Sequence, residues 1–227
     1  MRVLDNLSSG SPANLAAADV AQSDFEFHEG DVRDYGVVEA ATRDVDRFVF
    51  ASSCNCYGRA EARNIDETVE PDPINPYAET KHEAEQLFAE YGAAHDVDTT
   101  ALWMSTVYGD APGVRFNLVV NAFVFRALTD RPLTVCGDGS NWRPFVHVED
   151  AARAFADAAI RPERWPATVY NVGANAENYR IETIAETGFD LQWSLPECVT
   201  DLAARLGGAR AETGTVQSVL AGGETDD

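Results

Sequence analysis

With 227 residues, 45% of them apolar, the chain is long enough for one large domain or two small ones and can bury a core. Its 38 acidic residues stand against 17 basic ones, a formal net charge of -21; such a surface repels nucleic acid and anionic membranes, so neither is an expected partner. Sixteen of the basic residues are arginine and a single one, Lys81, is lysine; this composition resembles that of a proteome adapted to high salt, in which acidity serves solubility and does not mark a site.

The N-terminal "MRVLDNLSSG" has no apolar signal region, which points to the cytoplasm. Within it "RVLD" is a short apolar run ending in an acid, and "NLSSGSPAN" is turn chemistry. "DFEFHEGD" alternates Phe25 and Phe27 with polar residues and predicts a strand. "DYGVVEAATRD" has helical spacing, and "DRFVFASS" is a buried strand ending in small polar residues. "PYAETKHEAEQLFAEYGAAH" is the longest helix, with Pro76 in its first turn. "TTALWMSTVYG" reads as strand then loop, "RFNLVVNAFVFRALTD" as an apolar helix, and "PLTVCGDGS" as strand and turn. "VEDAARAFADAAI" is a helix with Asp150 in its N-terminal turn, "ATVYNVG" a strand, and "YRIETIAE" the start of a helix. The acidic, Gly-rich end "ETGTVQSVLAGGETDD" reads as a loose tail. No internal repeat is visible, and no apolar run approaches the ~18 residues of a membrane span. Cys54, Cys56, Cys136 and Cys198 show no paired zinc spacing, so no metal is expected.

Strands alternating with helices imply an α/β fold with a doubly wound, mainly parallel sheet. Ligands of such sheets sit beyond the C-terminal strand ends, which directs attention to the polar residues there. Ser52 and Ser53 end the "RFVFA" strand. Tyr77 and Lys81 are four apart on a helix and share a face. An ammonium beside a phenol favours the phenolate and makes it a usable base. An exposed Tyr and Lys at this spacing is the bland alternative. Asp5 ends the first strand, where a carboxylate can accept both hydroxyls of an adenosine ribose. No arginine follows it directly, which favours NAD over NADP. The alternative for Asp5 is a turn acid, a role that Asn6 and Ser8 could fill as well.

In order, "VLDNLSSG", "EGDVRD", "FVFASSCNCYG", "NPYAETKHEAE", "STVYGD", "GDGSNWRPFVHVEDAARA" and "YNVG" resemble the landmarks of the extended short-chain dehydrogenase/reductase family, specifically its NAD-dependent sugar-nucleotide epimerases and dehydratases. The resemblance implies a truncated Rossmann-like fold with a small C-terminal substrate-binding portion. Residues 1–110 would be an incomplete NAD-binding portion, 111–210 a mixed portion with substrate-binding elements, and 211–227 the tail. It implies that Ser53, Tyr77 and Lys81 are catalytic, with Tyr77 taking a proton from a sugar hydroxyl while hydride passes to NAD. Lys81 would tune Tyr77 and bind the nicotinamide ribose, and Ser53 would orient the hydroxyl. Asp5 and Asn6 would meet the adenosine ribose, Asp31 and Val32 the adenine, and Arg143 the diphosphate of a nucleotide-sugar substrate. Arg143 is as readily a surface arginine among many acids. His147 reads as part of a strand face. Family members pair through the helix that holds Tyr77, so a homodimer is implied. Where dehydratases carry Thr-Asp-Glu this chain has Ser53-Cys54-Asn55, which favours epimerisation; Cys54 could be an added acid/base or a small buried residue.

Departures accompany the matches. No G-x-x-G-x-x-G occurs. Only 21 residues separate Asp31 from Ser53, room for one helix and one strand where the family has helix, strand, helix, strand. "IETIAE" runs almost directly into "TGFDLQWSLPE", and Trp103 and Thr106 stand where Arg and Asn are common. The remaining sheet is expected to close with the first strand beside "RFVFA", in order 2-1-3-4-5. Two functions follow: an NAD-dependent sugar-nucleotide epimerase, or an internally deleted, non-catalytic relative acting at most as an interaction module.

Overall fold

The computed structural model describes residues 1–15, 25–58, 65–129, 131 and 144–173. The chain runs β1 (Arg2–Asp5), β2 (Glu26–Glu29), α1 (Tyr35–Thr42), β3 (Arg47–Ser53), α2 (Pro76–His95), β4 (Asp98–Met104), β5 (Thr106–Tyr108), α3 (Val119–Leu128), β6 (Phe145–His147), α4 (Val148–Ile160) and β7 (Val169–Val172). Every ladder is parallel: β1 with β2, β4 between β3 and β7, and β5 with β6. Strands joined through helices in this way make the α/β, Rossmann-like architecture expected from the alternating pattern. No described helix is long and apolar enough to cross a membrane.

The sheet does not close as expected. The order β2-β1 and β3-β4-β7 is kept, but among the described residues no ladder joins β1 to β3. Between Asp31 and Ser53 the chain forms only α1 and β3. The β1–β2 pair is held by side chains instead. Leu4 and Val32 pack against the cluster that contains Val38 of α1, Phe50 of β3 and Phe88 of α2. The "STVYG" loop expectation is also corrected. Ser105 N donates to Val172 O at 2.9 Å, and Thr106 N to Pro144 O at 3.0 Å, so the chain leaves β7 and pairs as β5 with β6. The helix expected from Arg115 begins only at Val119. "PLTVCGDGS", "YRIETIAE" and the tail lie outside the described residues.

The core has two faces, as strand alternation requires. Ala101 and Trp103 of β4 point toward α2, and join Phe50, Tyr57, Ala84 and Phe88. Leu102 points the other way, and packs with Ala154 and Ala158 of α4, Trp165 and Tyr170. Both ends of α2 are defined by sequence. Asn75 Oδ1 accepts from Ala78 N at 2.9 Å and Pro76 opens the helix, while Asp96 ends it in the left-handed conformation at φ 57. Gly58 fixes the approach to this helix: at φ 64, a Cβ there would lie 1.7 Å from Asp72 O. The same contact region carries the Asp72 N to Cys56 O hydrogen bond of 2.9 Å.

Candidate functional site

At the C-terminal end of β3 the chain turns through a 3₁₀ helix, Cys54–Tyr57. Ser53 caps it, its Oγ accepting from Asn55 N at 3.2 Å, and the residue is buried. The Cys56 thiol donates to Ala78 O at 3.7 Å, which ties this turn to the first turn of α2. Tyr77, one residue earlier, is exposed. Lys81 follows one helical turn later with Nζ 6.0 Å from the Tyr77 ring centroid and 4.9 Å from that of Phe50. Its ammonium donates to Ala51 O of β3 at 2.8 Å. Helix α2 thus presents Tyr77 and Lys81 on one face, at the strand end where Ser53 sits. Burial pushes the Lys81 ammonium below the ordinary lysine value, and the charges of Asp5 and Glu85 pull it back up.

Asp5, Asn6, Asp31 and Val32 lie at the paired ends of β1 and β2, where Gly30 N donates to Asp5 O at 3.1 Å. Asp5 Oδ1 accepts from Leu7 N at 2.7 Å, the turn-acid role, and stabilises Leu7 at φ 53. Asn6 Oδ1 accepts from Ser8 N at 3.1 Å, and its side chain also reaches Asp31. Asp31 takes a forked pair from Arg33, with Nε at 2.9 Å and Nη2 at 2.6 Å. The Arg33 guanidinium holds the Asp31 carboxyl well below the usual carboxylate range. Val32 packs into the α2-side core. Arg143 lies outside the described residues.

Ser52, Trp103 and Glu85, of which sequence reasoning passed over Glu85, form a network beside the catalytic candidates. The Ser52 hydroxyl donates to Glu85 Oε1, and Trp103 Nε1 donates to the same oxygen at 2.8 Å. Burial raises the Glu85 carboxyl above its ordinary value, while these two donors act to lower it. One signal was available: Glu85 is four residues after Lys81, on the helix stripe that faces the sheet. Trp103 thus serves as an indole N–H donor to a carboxylate. Cys54 donates to Trp103 O at 3.1 Å, and burial pushes its thiol up to about 12. Burial takes Cys56 up to about 11. Both stay protonated at neutral pH, which supports the small-buried-residue reading of Cys54. His147 ends β6 and caps α4, its Nδ1 accepting from Glu149 N at 3.4 Å.

The profile of the NAD dependent epimerase/dehydratase family matches residues 35–173, more than half of the chain. The chain belongs to that family. A trifunctional UDP-glucose 4,6-dehydratase/UDP-4-keto-6-deoxy-D-glucose 3,5-epimerase/UDP-4-keto-L-rhamnose-reductase of Arabidopsis thaliana is 32% identical over 166 residues, which are 70% of this chain and 24% of that protein. The low-salt glycan biosynthesis protein Agl12 of Haloferax volcanii is 33% identical over 144 residues, 63% of this chain and 45% of its own. The chain therefore spans between a quarter and a half of these relatives. Among solved structures, dTDP-glucose 4,6-dehydratase of Bacillus anthracis in complex with NAD superposes with a TM-score of 0.72 at 16% identity, covering 92% of this chain and 88% of that one. At that identity the likeness establishes the fold.

Proposed function

We propose that the chain carries the site of an NAD-dependent sugar-nucleotide epimerase. The observation that supports this best is the shared face of Tyr77 and Lys81 at the strand end that holds Ser53. The phenolate of Tyr77 would take the proton from a hydroxyl of the sugar. Lys81 would favour that phenolate through its charge, and Ser53 would hold the hydroxyl in line. NAD, when bound, supplies the acceptor for the sugar hydride and returns it. Ser53-Cys54-Asn55, in place of an acid pair, and the raised Cys54 thiol favour epimerisation over dehydration.

The residues present fit the two ribose ends of NAD. One Asp5 oxygen serves the turn and the other is open among the described residues, while Asn6, Asp31 and Val32 border it. Lys81 Nζ spends one of its three N–H groups on Ala51 O, which leaves two for a ribose hydroxyl. The pyrophosphate is less well served. The starts of α1, α2 and α4 are closed by Asp34, Asn75 and His147. The start of α3, at Leu118, has no side-chain cap, and its free N–H groups would favour the diphosphate of a nucleotide sugar, with Arg143 as a partner. A cytoplasmic, high-salt setting and a homodimer through α2 complete this reading.

The test is interconversion of UDP-glucose and UDP-galactose by the purified chain with NAD⁺ in molar KCl, followed by NMR. Activity that disappears in Tyr77→Phe supports the assignment. Absence of turnover with every nucleotide sugar tried favours the second reading, a non-catalytic relative. That reading is favoured by one observation, the missing ladder between β1 and β3.

A further inference from the structure

A cavity of about 350 Å³ lies between α2 and the β3-β4-β7 ladder. It reaches Phe48, Thr99 and Thr168, at the N-terminal ends of those strands, and none of Ser53, Tyr77 and Lys81 lines it, although Phe50 and Glu85 stand between it and Lys81. Its walls include Phe48, Phe50, Phe88 and Trp103. Glu85 also lines it, with 9% of its side chain exposed. Both hydrogen bonds to this carboxylate, from Ser52 and Trp103, fall on Oε1. Among the described residues Oε2 takes no hydrogen bond: His82 Nδ1 lies 3.9 Å from it, beyond hydrogen-bond reach, and that nitrogen has no hydrogen-bond partner there either. Glu67 and Glu70 add two more carboxylates to the lining, and no lysine or arginine contributes to it.

A buried carboxylate fixed by one oxygen and open at the other, inside aromatic walls, is complementary to a cation with an apolar body. We propose that this cavity binds a small organic ammonium ion, its N–H groups on Glu85 Oε2 and its hydrocarbon part against Phe48, Phe88 and Trp103. The volume is at the small end of the range for ligand sites, which suits a molecule with one ring and a short alkylammonium arm. A simple metal cation is a poorer match, since one open carboxylate oxygen among aromatic rings gives too few ligands.

The net charge of -21 attracts any cation weakly, so the test is made in 1 M KCl, where screening acts over ~3 Å. Phenethylammonium chloride is titrated calorimetrically into the intact chain, with neutral 2-phenylethanol as its comparison. The ammonium should bind about tenfold to a hundredfold more tightly than the alcohol, the span of one charge-assisted hydrogen bond. Glu85→Gln keeps an oxygen for Ser52 and Trp103 and should abolish that preference. Ala89→Phe, at an exposed position lining the cavity, should block both probes without lowering the melting temperature. Equal affinity for the two probes, no binding of the ammonium, or binding unchanged in either variant would overturn the proposal.

Discussion

Lys81 Nζ donates to Ala51 O at 2.8 Å, so the single lysine of the chain is bonded to the backbone of β3. Its ammonium lies 4.9 Å from the Phe50 ring centroid, and the Asp5 charge acts on it. A ligand ribose can share this ammonium with Ala51 O, since two of its three N–H groups are not used in that bond.

Affinity for NAD⁺ is expected to be weak in this 227-residue chain. The Asp5 and Lys81 ends can grip riboses, but no G-x-x-G-x-x-G loop is present to hold the pyrophosphate. Each backbone hydrogen bond to a charged group contributes about 1.5–3 kcal/mol, so lacking two of them costs on the order of 3–6 kcal/mol, with each ~1.4 kcal/mol about tenfold in affinity. A calorimetric titration in molar KCl should give a dissociation constant of about a millimolar or weaker. Tight binding would mean that another segment supplies the pyrophosphate seat.

Salt should stabilise the fold. At a charge of -21 the native state repels itself, and the range of that repulsion falls from ~30 Å at 0.01 M salt to ~3 Å at 1 M. The melting temperature, followed by circular dichroism, should rise by several degrees between dilute buffer and molar KCl. A flat response would detach the acidity from salt adaptation.

Glu85 gives a stability effect whose sign can be worked out. Its carboxyl is raised above the ordinary value of 4.5 by burial, so between that value and its folded value the native state holds a proton that the unfolded chain has released. Stability from this group is complete below the unfolded pKa and falls as pH rises through the folded one. Glu85→Gln removes the ionisation and keeps the acceptor for Trp103. The variant should therefore be more stable than the parent at pH 7, with the difference shrinking toward pH 4. Urea unfolding at both pH values checks it, and a variant less stable at pH 7 would refute the assignment.

Local chemistry made much of the fold legible. Asn75 and Pro76 announce the start of α2, and the apolar run before Ser52 and Ser53 announces β3. The three-residue strand β5 was not legible and β6 only at His147, read as part of a strand face, since no period can be read from so few residues; a hydrogen bond from Thr106 N to Pro144 O defines their pairing. The turn role of Asp5 could not be separated from a ribose role, because the same carboxylate suits either. Glu85 was missed because its meaning depends on Ser52 and Trp103, residues distant in sequence and joined only by the stacking of α2 on the sheet.

Among the described residues β3 pairs with β4 alone, so its other side is a row of backbone groups able to template a foreign strand. Such an edge usually invites chains to stack into fibres. Here an incoming strand would have to displace an ammonium from Ala51 O and strand that charge beside Phe50, which is costly. Lys81 thereby makes strand addition at this edge costly, an effect that requires neither cofactor nor substrate. A chain that had lost its chemistry would still have physical reason to keep its one lysine.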